Sequence, residues 1–344
     1  MRTIKQFLEG PVWATGSNRV LFARGWVGVL AGVLVISALL LTPSTVSSRD
    51  EMIIIRNDQI PLDYDLAVGR FGVGKLFFDD PLDLDTDEDN NVYILDAGNF
   101  RVQVMDEDGD YLYRWGKRGR EDGELQDPVS LVVDPDRNFV YILDREKLVV
   151  NKYRLDGEFV GAFGERGMRK GEFDEPVDLT VDDQGYVYVL DGRRRAVLKF
   201  HHKGEFVEEW SFSGRKKREL FDPVSIAYST DRLGYVCVLD RTRLTLVMFN
   251  RRGDHMETLD LAPAISEGGE PVKVRGDDRG NLFVLEAVTG KLINIRRSNY
   301  SIFGLFNDKI LDHDLRGLAV DEDGRIYVTD IRKNRITRFI LEPN

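Results

Sequence analysis

Toward its C-terminus the chain reads Leu318-Ala319-Val320-Asp321-Glu322-Asp323-Gly324-Arg325-Ile326-Tyr327-Val328-Thr329-Asp330-Ile331-Arg332-Lys333-Asn334-Arg335-Ile336-Thr337-Arg338-Phe339. An apolar run, an acidic turn with glycine, an aromatic and β-branched run closed by a carboxylate, a polar turn and a second alternating run follow one another, which is the pattern of three short antiparallel strands. The same order recurs upstream. Five copies open with proline: Pro81-Leu82-Asp83-Leu84, Pro128-Val129-Ser130-Leu131, Pro176-Val177-Asp178-Leu179, Pro223-Val224-Ser225-Ile226 and Pro271-Val272-Lys273-Val274, with steps of 47, 48, 47 and 48 residues. The carboxylate-ended strands are Val92–Asp96, Val140–Asp144, Val187–Asp191, Val236–Asp240, Leu282–Glu286 and Ile326–Asp330. Two further strands complete a unit, as in Val197–Phe200 and Phe206–Trp210 around Lys203-Gly204.

Four short strands in a unit of about 47 residues form one blade of a β-propeller, a twisted sheet that buries both faces against its neighbours. Six units predict an all-β, six-bladed β-propeller in one ring. A lone four-stranded sheet has too little core to stand as a separate domain. The sixth unit ends one strand short. The missing strand is expected at the other end of the domain, because Arg70-Phe71-Gly72 before Pro81 aligns with Ala162-Phe163-Gly164 before Pro176. Residues 65–72 should therefore close the ring and remove its open edge.

The sixth copy closely resembles the NHL repeat, and Asp96-Ala97-Gly98-Asn99-Phe100-Arg101-Val102 of the first copy looks similar. The resemblance covers about residues 65–340. It implies a propeller whose relatives bind protein or RNA, act as sensors or, in a few cases, catalyse reactions. Copy five departs with Glu286, and copies two to five lack the Asn-x-Arg that follows the carboxylate in the best copies. The best-known enzymatic relatives of the family that this repeat resembles are the amidating lyases, which hold zinc through tunnel histidines, and the histidines of this chain decide against that likeness. Here His201, His202 and His255 fall between third and fourth strands and His313 in a connection, so no such site and no nucleophile motif is read.

The 344 residues carry 48 Lys plus Arg against 59 Asp plus Glu, a net charge of −11, which disfavours a nucleic-acid partner. The one cysteine, Cys237, excludes an intrachain disulfide and reads as a buried inert thiol in an apolar run. From Gly25 to Ser48 no residue is charged. That length can cross a bilayer. Arg2, Lys5, Arg19 and Arg24 precede it against Glu9 alone, so the N-terminus is expected in the cytoplasm and the remainder outside, in the periplasm of a bacterium. The division expected is a leader at 1–24, an anchor and exit at 25–48, a tether at 49–64 and the propeller at 65–344. A cleavable signal ending near Val46 and Ser48 is the competing reading.

The recurring strand-end carboxylates read as turn organisers rather than a catalytic ring. Asp85, Asp87, Asp89 and Asp96 have part of a calcium-loop spacing, but Asn90 stands where glycine is required and the repeat already explains three of the four. The innermost strands are expected to line the tunnel with Asp83, Ser130, Asp178, Ser225 and Lys273, then Asp85 and Arg275. Internal pairing of the two cations with the aspartates is expected there, with no cofactor. At one rim the loops are acidic; the other gathers Arg193, Arg194 and Arg195 beside Arg215, Lys216, Lys217 and Arg218. This cluster predicts an acidic protein surface or an anionic glycan as partner. The resulting expectation is a membrane-tethered, non-catalytic scaffold in an envelope complex. Its alternative is an exported lactonase- or lyase-type propeller with a metal ion in the tunnel.

Overall fold

The computed structural model describes residues 54–212, 219–230, 234–277, 279–296, 301–306 and 314–341. The anchor expected at 25–48, Arg215, Lys216, Lys217, Arg218 and His313 lie outside the described residues. Among the described residues no helix is long and apolar enough to cross a membrane.

Proline opens five of the inner strands, Pro81–Thr86, Pro128–Asp134, Pro176–Val181, Pro223–Ser229 and Pro271–Gly276. The first position of a strand is one of the few places in a sheet that tolerates the missing N–H. The sixth inner strand is Leu315–Val320. Blades one to four are separate four-stranded sheets with strands in sequential order. The strand Ile54–Val68 joins blades five and six into one eight-stranded sheet. Its second half pairs antiparallel with the last strand of the chain, from Leu62↔Leu341 to Val68↔Ile336, and supplies the missing outer strand of blade six. Its first half runs parallel to Ser301–Phe306, the outer strand of blade five. Residues 54–64, expected as a tether, are thus paired strand; they cover an edge that blade five would otherwise leave open.

The core lies between blades rather than within them. Tyr93, Leu95 and Val102 of blade one pack with Leu131, Val140 and Ile142 of blade two. Equivalent clusters follow around the ring, and the last joins Tyr327 and Ile336 of blade six to Leu84, Val92 and Ile94 of blade one. Both faces of each second strand are covered, so Val92–Asp96, Val187–Asp191 and Tyr235–Asp240 are buried throughout. Cys237 is among these residues, with its thiol 3.5 Å from the Ala227 carbonyl.

The strand-end carboxylates are fully buried, and in blades one to five they staple the incoming connection to the turn that follows. Asp144 accepts N–H bonds from Gln126, Asp127 and Lys147 at 2.7, 3.2 and 3.0 Å. Asp191 does the same for Asp174, Glu175 and Arg194. In blade one Asp96 also takes the Arg101 guanidinium at 2.7 Å. Recurrence of a carboxylate here, five times as Asp and once as Glu286, follows from one backbone problem met in every blade.

A β-bulge marks the start of every inner strand. Pro81 pairs with Asp96 and Asp83 with Leu95, which leaves Leu82 as the extra residue. Val129, Val177, Val224 and Val272 hold the same place in blades two to five. Blade six is irregular between Leu315 and Leu318, where Arg316 and Gly317 stand. A Cβ on Gly317 would lie 2.9 Å from the Asp83 Cα, so glycine lets blade six close against blade one.

Candidate functional site

The tunnel is filled by a buried ionic network that links alternate blades. Lys273 of blade five reaches Asp83 of blade one at 2.8 Å and Asp178 of blade three at 2.9 Å. Arg275 adds a guanidinium 3.1 Å from Asp83 and 3.6 Å from Asp178. Lys273 and Arg275 are each 7% exposed and both aspartates at most 1%. The Ser130 hydroxyl lies 2.8 Å from Asp83 and 2.6 Å from Asp178, and the Ser225 hydroxyl donates to Asp178 at 2.6 Å. Main-chain N–H groups of Leu131 and Ile226 donate to the same two carboxylates. Burial alone would raise the Asp178 pKa, but Lys273, Arg275 and the two serines outweigh it and hold the group at about 2. The structure therefore brings together Asp83, Ser130, Asp178, Ser225, Lys273 and Arg275, with Asp85 at the edge.

Oxygen ligands for a tunnel metal are the requirement of the enzymatic alternative, and calcium takes six to eight of them. Here the oxygens of Asp83 and Asp178 are already engaged by two buried cations, and a divalent ion would be placed against both. The residues do not fit a metal ion. Among the described residues no group of three or more His, Cys, Asp or Glu side chains is placed to hold one. His201 lies 3.9 Å from Glu205, and His255 opens an outer strand and bonds Thr258 at 2.8 Å.

At the acidic rim the tunnel widens into a cavity of about 220 Å³ lined by Asp85, Asp134, Asp136, Asp183, Asp277 and Arg275, among others. Turn geometry accounts for its inner carboxylates: Asp87 accepts N–H bonds from Asp89 and Asn91 and the Tyr93 hydroxyl, and Asp182 those of Gln184, Tyr186 and Tyr188. Asp85 differs. It is half-buried, and desolvation pushes its pKa up to about 6 against the opposing pull of Arg275 and the Val133 N–H. Between about pH 4 and 6 the unfolded chain has released this proton while the folded chain keeps it, so the group subtracts stability as pH rises through that window. Asp85→Asn retains an acceptor for Val133 and balances the two cations against Asp83 and Asp178. It is expected to raise stability by about 1–2 kcal/mol near pH 7.5 and by little near pH 4. Denaturant melts at the two pH values check this, and an equal gain at both would refute it.

At the opposite rim the described members of the expected basic cluster are Arg193, Arg194 and Arg195, and each meets a partner within the fold. Arg193 pairs with Glu175 at 3.0 Å and Asp174 at 3.5 Å. The Arg194 side chain is 7% exposed and bonds Glu209 at 2.6 Å. Arg195 lies over the Phe221 ring at 5.5 Å. Glu219 and Asp222, also in this region, pair with Arg243 and Arg241. The relieving acids come from the connection before the blade and from its outer strand. Sequence reasoning also missed that an acid precedes each of the five prolines, at Asp80, Asp127, Glu175, Asp222 and Glu270, although the repeat displays it. Asp127 pairs with Arg145 at 2.8 Å, and Arg241 bridges Asp222 and Glu270. Alternating charges thus surround this mouth.

Comparison with known proteins places these features. The protein brain tumor of Drosophila melanogaster is 26% identical over 98 residues, which span 28% of this chain and 8% of that protein. Among solved structures, a streptogramin B lyase superposes with a TM-score of 0.57 at 12% identity, covering 79% of this chain and 96% of that one. A gluconolactonase from Xanthomonas campestris gives 0.57 at 15% identity, covering 83% and 98%. Hydrazine synthase from Kuenenia stuttgartiensis gives 0.53 at 15%, covering 78% and 79%. At these identities the likeness shows the fold alone. Residues 78–105, which hold the first three strands of blade one, match the NHL repeat: the chain is a six-bladed β-propeller with an NHL repeat in its first blade.

Proposed function

We propose that this chain is a membrane-tethered, extracytoplasmic propeller that works as a non-catalytic binding or scaffold module, an accessory subunit of an envelope membrane complex. The observation that carries the reading is the filled tunnel: the carboxylates that a catalytic ion would require are spent on Lys273 and Arg275. Strand residues are consumed by packing between blades, which leaves the rim loops for partners. The uncharged stretch from Gly25 to Ser48, preceded by Arg19 and Arg24, supports the anchor and its orientation. An acidic protein surface or an anionic glycan is the partner suited to Arg193 and Arg195, with Arg215, Lys216, Lys217 and Arg218 in the next connection; Arg194 is already committed to Glu209.

The test is made on the full chain purified from membranes in mild detergent. It is expected to recover protein partners, to retain no stoichiometric metal and to leave gluconolactone unhydrolysed with or without added calcium. Stoichiometric calcium or zinc together with turnover would overturn the reading in favour of an exported propeller enzyme. Protease added outside the inner membrane is expected to digest the propeller, and full protection there would reverse the topology.

A further inference from the structure

The connection-side mouth of the tunnel is built differently from the acidic one. Leu82, Val129, Val177, Val224 and Val272 are the residues that the five bulges set out of register, and bulges of this kind re-aim side chains. All five are half-buried. With Arg241, Lys273 and Arg316 they line a well of about 190 Å³. Their flanks rest on the clusters between blades, as Leu82 does on the core of blades one and two.

Beside the well lies a groove of about 450 Å³ between blades one and two, which shares Leu82 with it. Its other residues include Ala97, Phe100, Arg118 and the carboxylates of Asp80, Asp127 and Glu146. The groove lies where blade one lacks the arginine that blade two carries after its strand-end carboxylate, as blades three, five and six also lack it with Gly192, Ala287 and Ile331. Blades two and four place Arg145 and Arg241 directly after the strand-end carboxylate, each within 2.8 Å of the acid that precedes the proline. Blade one has Ala97 there, in the short turn Ala97–Asn99. Asp80 forms no salt bridge among the described residues, and both Asp80 and Glu146 are exposed. Desolvation and then the neighbouring Asp79 push the Asp80 carboxyl upward, so a cation brought to it would be favoured.

We propose that this mouth docks an extended segment of a partner protein in which an aliphatic side chain enters the well and a lysine or arginine within two residues of it enters the groove. Successive side chains of an extended strand alternate and advance about 3.3 Å per residue, which suits two adjoining openings. The segment engages the same face that carries the proposed scaffold function, and the inference rests on that reading. Charge complementarity selects the basic residue: Asp127 is taken by Arg145, and Asp80 and Glu146 remain in the groove against the one guanidinium of Arg118, which lies 4.9 Å from the Phe100 ring centroid.

The test uses the full chain in detergent and capped, dye-labelled peptides that differ only at a central pair: Lys-Leu, Glu-Leu and Lys-Ser. The Lys-Leu peptide is expected to bind at least tenfold more tightly than either of the others. Asp80→Asn combined with Glu146→Lys changes two exposed residues, keeps at position 80 a residue suited to its left-handed backbone (φ 56°), and is expected to leave the melting temperature unchanged while reversing the order of Lys-Leu and Glu-Leu. Equal binding of the three peptides, no binding of any, or an order unchanged in the double variant would overturn the proposal. A preference of the wild type for Glu-Leu would overturn it and assign an acidic residue to this groove as well as to the basic cluster of blades three and four. Recovery of native partners is measured separately, so a failure here with partners still recovered leaves the scaffold reading in place.

Discussion

Deletion of residues 62–68 is expected to abolish cooperative folding or convert the protein to aggregates, the largest effect that any local change to the propeller should produce. These residues form the outer strand of blade six. Leu62 is also buried in the cluster between blades five and six. Without them the strand Arg335–Leu341 becomes an open edge with unpaired N–H and C=O groups, and the covering of blade five by Ile54–Pro61 loses its continuation. Open edges of this length pair with other chains. Size-exclusion chromatography and a calorimetric melt would check the result. A monomer that still melts in one sharp transition would mean that packing between blades six and one closes the ring unaided.

The second large effect belongs to the tunnel. Lys273→Met leaves Asp83 and Asp178 buried with Arg275 alone, and removing one member of a buried ionic cluster costs about 3–5 kcal/mol. In a domain of this size that corresponds to a fall in Tm of roughly 10 °C. The pH dependence gives an independent signature. Asp178 is held at about 2, below its ordinary value, so it contributes stability that is present above about pH 4 and is lost as pH falls toward 2. In the variant that loss should begin at higher pH, because much of the attraction that depresses the group is gone. Replacing both Lys273 with Met and Asp178 with Asn keeps the charge balanced and should recover part of the stability. A loss below about 1 kcal/mol for Lys273→Met, with an unchanged acid limb, would show that Arg275 suffices.

Much of this molecule was legible before any coordinates. The period of 47 and 48 residues set the blade, because a strand carries its burial pattern locally and a repeated unit must solve the same packing problem each time. The alignment of Arg70-Phe71-Gly72 located the closing strand, although its pairing begins at Leu62 rather than at Asp65. The strand-end carboxylates were assigned to turns for the same reason of recurrence. The tunnel residues were identified by register, since innermost strands in equivalent positions must face one axis. What the repeat does not encode is where the blades break from one another. Lys273 pairs with aspartates 190 and 95 positions away, and its targets depend on the length of its stem and the diameter of the ring. The cations of blade three found Asp174, Glu175 and Glu209 because strand twist brings a connection and an outer strand to the same rim. Bulges turned five apolar residues, which read as ordinary strand positions, into a collar around a well. Local sequence therefore determined the element and its copy number, whereas contacts across the ring were decided by closure, which sets distances that no single repeat contains.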